Sequence, residues 1–198
     1  MNAGAIILAG GKSKRMGTNK ALLEINGRKV IEMVKDRLAE VFSEIILVTN
    51  NMEEYDFLGL PMVEDKIKGR GPLAGIHAGL STSSFDINLI VACDMPFISP
   101  ELAVYLIGQI EEYDVVTPKI TGEIHPLFSV YNKSTLPIIE KHLLKDKLKI
   151  KELLKQLNVR VVTEEEIKYF LDDNLENLVF NMNSPMDYES VKSRIDNN

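Results

Sequence analysis

Four cations, Lys12, Lys14, Arg15 and Lys20, and three glycines, Gly10, Gly11 and Gly17, share one short stretch with no acidic residue between positions 12 and 20. Glycines let a backbone approach a polyphosphate without a Cβ in the way, and their N–H groups can converge on it as a nest of donors. The formal net charge of the chain is −6, so the positive field of this loop is local and aimed at a small anion. Spacing excludes two common phosphate loops. A Walker A loop opens on a glycine, and at that distance upstream of Gly11-Lys12-Ser13 stands Ile6. Gly10, Gly11 and Gly17 do not fit Gly-x-Gly-x-x-Gly either. The bland alternative, a glycine-rich turn with solvated lysines, makes both the glycine placement and the clustered charge accidental.

A carboxylate at a strand end complements that loop. Asp94 follows the continuous β-branched run Ile87 to Cys93, and parallel sheets bind ligands at the carboxyl ends of their strands. Such a carboxylate can hold Mg²⁺, which is usually bound through one or two carboxylates plus substrate phosphate oxygens. Its structural alternative is a turn or cap residue before Pro96. Asp65, followed by Lys66, Lys68 and Arg70, either contacts the ligand or holds its own loop together. Loop, Asp65 and Asp94 outline a nucleoside triphosphate site.

The elements that must position these residues alternate in period. The uncharged run from Ile6 predicts a buried strand emptying into the glycine loop. Ala21 to Ile25 reads as a short strand turned by Asn26-Gly27. Val30, Ile31, Val34, Leu38 and Val41 then recur at helical spacing, and Ile45 to Val48 reads as a strand, so a parallel pair is expected. A brief strand at Pro61 to Asp65 precedes a helix opened by Pro72 and running to about Leu80. Ser99-Pro100-Glu101 opens another helix, with serine as its cap. Asp114 to Pro118 and Pro126 to Tyr131 read as two strands about a connection holding Gly122, in the manner of a hairpin. Helices over Ser134 to Leu144 and Leu148 to Leu157, strands at Val159 to Val162 and Leu178 to Phe180, and a closing helix from Pro185 to about Ile195 complete the pattern. The expectation is a doubly wound, Rossmann-like α/β fold with a mostly parallel sheet, helices on both faces and a small β-hairpin elaboration, forming one domain over residues 1–198.

Composition excludes other classes. Hydrophobic residues make up 45% and charged residues 26%, which is ordinary for a globular chain and argues against disorder. No apolar stretch reaches the length of a membrane span, and the sequence enters its first strand without an export pattern, so a cytoplasmic protein is expected. Cys93 is the single cysteine, which rules out an internal disulfide, and His77, His125 and His142 are not spaced as a metal site. A pI near 5.2 argues against nucleic acid as a partner. The lysines at 141, 145, 147, 149, 151 and 155 read as a solvated face. His77 reads as a packing or surface residue and Cys93 as a small core residue.

Several motifs taken together resemble one family. Leu8-Ala9-Gly10-Gly11-x-Ser13-x-Arg15-Met16-Gly17-x-x-Lys20, Glu64-Asp65 with Gly71-Pro72-Leu73-Ala74-Gly75, Cys93-Asp94-Met95-Pro96, His125-Pro126-Leu127 and Asn181-Met182-Asn183-Ser184-Pro185 are similar to molybdenum cofactor guanylyltransferase, in order and over nearly the whole chain. The first motif alone marks the wider nucleotidyltransferase superfamily. The resemblance implies that GTP and molybdenum-loaded molybdopterin give the guanine dinucleotide cofactor and pyrophosphate. It implies that Leu8, Ala9, Gly10 and Gly11 border the nucleotide and that Arg15 and Lys20 lie along its phosphates. Asn50 and Asp65 would contact nucleotide, Asp94 would hold Mg²⁺, and His125, Asn181 and Asn183 would lie on the acceptor side. Arg15, Lys20 and Asp94 form the implied catalytic set. Recipient molybdoenzymes or other proteins of molybdenum cofactor biosynthesis are the implied protein partners. Two departures stand out. Asn19 occupies a position that is commonly acidic in the family, and Arg28-Lys29-Val30 replaces a Gly-Lys-Pro turn.

Three other readings compete. Cytidylyl transfer to the same pterin is disfavoured because the related enzymes tend to read Leu-Ala-Ala-Gly where this chain has Ala9-Gly10-Gly11. A sugar-1-phosphate nucleotidyltransferase is usually longer. A regulatory nucleotide-binding module would not need both Lys20 and the strand-end carboxylate of Asp94.

Overall fold

The computed structural model describes residues 2–10, 19–169, 171, 175–182 and 184–196. The uncharged run near the start is strand β1 (Gly4–Leu8), buried along its whole length. It lies inside an eight-stranded sheet with β4 (Ile45–Val48) on one side and β6 (Ile87–Ala92) on the other, both parallel to it. β5 (Met62–Val63) extends the β4 side in parallel. Beyond β6, the sheet continues through β9 (Phe128–Asn132), β7 (Val115–Ile120) and β10 (Val159–Val162). Within this sheet, only β9, antiparallel to both neighbours, and the short β8 (Glu123–Ile124), antiparallel to β7, break the parallel direction among the described strands.

Because both faces of a parallel sheet are covered, its central strands carry no polar face. Along β1, Ala5 and Ile7 join one core cluster while Ile6 and Leu8 join the other, the alternation expected of period-two geometry. The first cluster takes in Ile31, Val34 and Leu38 of α1 (Val30–Ala39) and Leu102, Ala103 and Leu106 of α3 (Pro100–Gly108). The second takes in α2 (Pro72–Thr82), α4 (Leu136–Leu144) and α5 (Ile150–Leu154). Full burial of Ile6 and Ile7 contributes about 1.5–3 kcal/mol each. The helices therefore sit on both faces, as the alternating pattern implied.

The chain leaves β1 towards β4 and β5, then returns through α2 to β6 on the opposite side of β1. That reversal opens a crevice at the carboxyl ends of β1, β4 and β6, the place where open α/β sheets bind ligands. α2 can lie close against this centre because Gly79 carries no side chain. A Cβ there would stand 2.4 Å from Ile6 Cγ2, closer than two carbon atoms can approach.

Two expectations are corrected. Residues Lys20–Leu22 form a 3₁₀ turn, not strand, and only Glu24–Ile25 (β2) pairs with Arg28–Lys29 (β3) about Asn26 and Gly27, whose φ values are 51° and 77°. Those left-handed angles suit an Asn-Gly hairpin turn. Leu178 to Phe180 is not a strand. Leu178 ends α7 (Leu175–Leu178), and Leu175 and Leu178, three apart, both enter the first core cluster. Strands β7 and β9 pair antiparallel about the connection holding Gly122, as expected of a hairpin, with β8 pairing onto β7 inside that connection and β9 lying between β7 and β6. The 3₁₀ helix Met52–Leu58 and α6 (Glu164–Lys168) have no counterpart in the expected elements. The closing helix is α8 (Pro185–Asp196). No helix among the described residues is long and apolar enough to cross a membrane.

The close contact of α2 with β1 has a measurable consequence. Overpacking costs about 1–3 kcal/mol and outweighs the roughly 1 kcal/mol that alanine gains over glycine in a helix. Gly79→Ala is expected to lower the urea midpoint, whereas Gly108→Ala, where a Cβ meets nothing within 4 Å, leaves it unchanged or raises it. Equal midpoints for the two variants would contradict the packing.

Candidate functional site

Sheet pairing continues past the end of β1. The Ala9 N–H donates to the Val48 carbonyl at 2.8 Å, and the Cys93 N–H donates to the Leu8 carbonyl at 3.2 Å. The root of the glycine loop is thus fastened to both neighbouring strands. Two groups of side chains stand at this edge.

The first group lines a small cleft formed by Leu8, Gly10, Val48, Thr49, Asn50, Asp65, Gly71, Pro72 and Gly75. Asn50 and Asp65 are joined reciprocally. The Asn50 Nδ2 donates to Asp65 Oδ2 at 3.1 Å, and the Asp65 N–H donates to Asn50 Oδ1 at 3.2 Å. The other carboxylate oxygen, Oδ1, lies beside Gly75, 3.7 Å from where a Cβ would stand. Gly75 also keeps the Leu8 wall open, since its Cβ would reach Leu8 Cδ2 at 3.2 Å. Gly71 adopts φ 64° and ψ −160° at the start of α2, with Pro72 in the first helical turn. A rigid, partly apolar slot with a carboxylate oxygen at its wall suits a flat ring bearing N–H donors.

The second group is Lys20 and Asp94. Lys20 Nζ lies 3.9 Å from Asp94 Oδ2, and the two side chains are only 16% and 18% exposed. Burial raises the Asp94 carboxyl above its ordinary value, and the Lys20 ammonium pulls it partly back. Backbone contacts place Asp94 further. Its carbonyl accepts from the Met182 N–H at 3.1 Å, which brings Asn181 alongside the end of β6. The Asn181 amide donates to the Val179 carbonyl at 3.1 Å. Burial pushes the neighbouring Cys93 thiol up to about 12, so it stays protonated and acts as a core residue, as its sequence context suggested.

Among the expected acceptor-side residues, His125 sits at the same edge because β9 is antiparallel and starts where its neighbours end. Its Nε2 lies 3.2 Å from the Ile120 carbonyl and therefore carries the proton, and its N–H donates to the Pro118 carbonyl at 3.1 Å. Burial holds the imidazole below its ordinary value. The ring thereby braces the β7–β8 connection. His77, on α2, is half-buried near Glu140 and Lys66 and does not line the cleft. Gly11, Arg15 and Asn183 lie outside the described residues. Among the described residues no cluster of three or more His, Cys, Asp or Glu side chains is arranged to hold a metal ion.

Sequence reasoning overlooked Glu54 and Tyr55. They lie on the 3₁₀ helix Met52–Leu58, and the Asn19 amide donates to both, at 2.8 Å each. Two aromatics and three acids in that stretch carry no helical or strand periodicity, so nothing in the sequence assigned them a place.

Comparison with known proteins identifies the family of the chain. A family model described as the MobA-like NTP transferase domain matches residues 5–161. A probable molybdenum cofactor guanylyltransferase of Pelotomaculum thermopropionicum is 44% identical over 196 residues, covering 98% of this chain and 93% of that protein. One of Carboxydothermus hydrogenoformans is 41% identical over 192 residues, covering 96% and 95%. The crystal structure of molybdopterin-guanine dinucleotide biosynthesis protein A from Archaeoglobus fulgidus superposes with a TM-score of 0.85 at 28% identity, over 98% of this chain and 100% of that one. The chain belongs to the MobA-like NTP transferase family and, within it, to the molybdenum cofactor guanylyltransferases.

Proposed function

We propose that this chain transfers GMP from GTP to the terminal phosphate of molybdopterin, giving molybdopterin guanine dinucleotide and pyrophosphate. The observation that carries the reading is the pairing of a carboxylate-walled cleft with a partly buried Lys20–Asp94 pair across one sheet edge, in a chain of this family. In the reaction an oxygen of the pterin phosphate bonds to the α-phosphorus, and the bond from that phosphorus to the bridging β-phosphate oxygen breaks. The attacking oxygen is already anionic, so no protein base is needed. The barrier lies in bringing two anions together in line.

Asp65 and Asn50 read the base. Guanine offers two adjacent N–H donors, and Asp65 Oδ1 beside Gly75 is placed as their acceptor. Leu8, Ala9 and Gly10 border the nucleotide, and the resemblance assigns Gly11 to the nucleotide and Arg15 to its phosphates. Lys20 supplies positive charge to the phosphates from a loop fastened at its root. Asp94 is a single hard carboxylate at a strand end, a donor set that fits Mg²⁺ shared with substrate phosphate oxygens. When bound, that ion neutralises charge on the phosphates as pyrophosphate departs. On the family pattern the acceptor approaches from the Asp94 side, where the Met182 N–H bound to the Asp94 carbonyl brings Asn181 close, and the resemblance assigns Asn183 and His125 to the same side.

Two outcomes test these roles. Asp94→Asn is expected to lower pyrophosphate release from GTP and molybdopterin at least about 100-fold. In metal-free buffer it should also raise thermal stability at neutral pH. The folded Asp94 carboxyl titrates above its unfolded value, so its stabilising protonated form is lost as pH rises through the folded value. The stability gain of the variant should therefore vanish in acid. Normal turnover in Asp94→Asn would move the metal role elsewhere. Asp65→Asn is expected to reduce the preference for GTP over CTP by about 10- to 100-fold, because a donor then faces a donor. Unaltered preference, measured by pyrophosphate release with each triphosphate, would remove Asp65 from base recognition.

A further inference from the structure

Asn19 makes contacts that neither the base cleft nor the Lys20–Asp94 pair requires. Its Oδ1 accepts from the Ala21 N–H at 3.2 Å, capping the turn that carries Lys20. Its Nδ2 donates to Glu54 Oε2 and to the Tyr55 hydroxyl, both at 2.8 Å. The amide orientation is fixed by its partners, since a carboxylate only accepts and a backbone N–H only donates. The other carboxylate oxygen of Glu54, Oε1, accepts from the Asn51 Nδ2 at 3.3 Å. Asn51 adjoins Asn50, the partner of Asp65. Tyr55 is 2% exposed and packed in the first core cluster, so the far end of this chain of bonds is anchored in the interior.

We propose that Asn19, through Glu54 and Tyr55, is a positioning strut that holds the catalytic turn bearing Lys20 at a fixed distance from the base-reading pair Asn50–Asp65. The inference rests on the GMP-transfer reading of the site. A hydrogen-bonded path runs from Asp65 through Asn50, along the backbone to Asn51, and then through Glu54 and Asn19 to the turn at Lys20–Leu22. Each pair can bind its part of the nucleotide without the strut. Alignment of the α-phosphorus against the acceptor needs both parts at the right separation, and misplacement by about 1 Å costs about 100-fold in rate. The donor at position 19 is matched to an acceptor at position 54. Aspartate at 19 would set one carboxylate against another, and glutamine at 54 would supply the missing donor with the direction of the bond reversed.

The test is a polarity swap followed by two readouts. Asn19→Asp is expected to lower kcat for pyrophosphate release about 10- to 100-fold while KM for GTP changes less than about threefold. It should also speed amide hydrogen exchange in the segment containing Ala21 about tenfold or more. Asn19→Asp combined with Glu54→Gln is expected to restore kcat to within about fivefold of the parent chain and to return exchange to its original rate. A double variant as slow as Asn19→Asp, or Asn19→Asp with parental kcat and exchange, would overturn the strut. If the parent chain releases no pyrophosphate from GTP and molybdopterin, the GMP-transfer reading fails. Exchange of the Ala21 segment in the same variants then decides the strut independently.

Discussion

The hydrogen bonds from the Ala9 N–H to Val48 and from the Cys93 N–H to the Leu8 carbonyl carry the pairing of the central strand beyond its last residue, and the site depends on them. A buried parallel strand must satisfy its backbone from both sides, so β1 cannot shift relative to β4 or β6 without exposing unpaired groups to an apolar interior. The chain consequently leaves β1 at one defined point. Asn50 at the end of β4 and Asp94 at the end of β6 are placed by the same register. Tight packing of α2 against Ile6 through Gly79 adds the wall of the cleft beside Asp65 to this fixed frame.

Charge is arranged against stability at the second half of the site. Asp94 is mostly buried and its carboxylate is disfavoured by that burial, while Lys20 compensates only in part at 3.9 Å. On the proposed function, a group held this way would take a cation together with substrate phosphate oxygens. The acidic surface and the local basic loop serve the same end. A net charge of −6 leaves the chain little general affinity for polyanions, so attraction is concentrated at the basic stretch, which the proposed function assigns to the triphosphate.

Much of this was legible because period and chemistry coincided. The runs at Ile6, Ile45 and Ile87 are uncharged and bounded, and all three became adjacent parallel strands. Ser99 caps α3 by accepting from the Leu102 N–H at 3.0 Å, as its place before Pro100 implied. Asp94 and Asp65 stood at strand ends in the sequence and stand there in the fold. Leu178 to Phe180 misled because a short apolar run reads alike in strand and helix, and here packing into the first cluster decided for helix. The turn at Lys20–Leu22 was hidden because its cap depends on Asn19 and on the distant Glu54 and Tyr55, a tertiary arrangement without local signature. The place of β9 between β7 and β6 was equally invisible, since the alternation is the same whichever strands lie alongside.

The most direct measurement follows two labels in parallel reactions of the purified chain with molybdopterin and Mg²⁺. One reaction uses GTP radiolabelled at the α-phosphorus and the other GTP labelled at the γ-phosphorus. The expected result is α-label in the pterin product, at the mass of the guanine dinucleotide, with the γ-label in pyrophosphate. Transfer of γ-label to the pterin, or α-label recovered only as free GMP with or without pterin, would contradict attack of the pterin phosphate at the α-phosphorus.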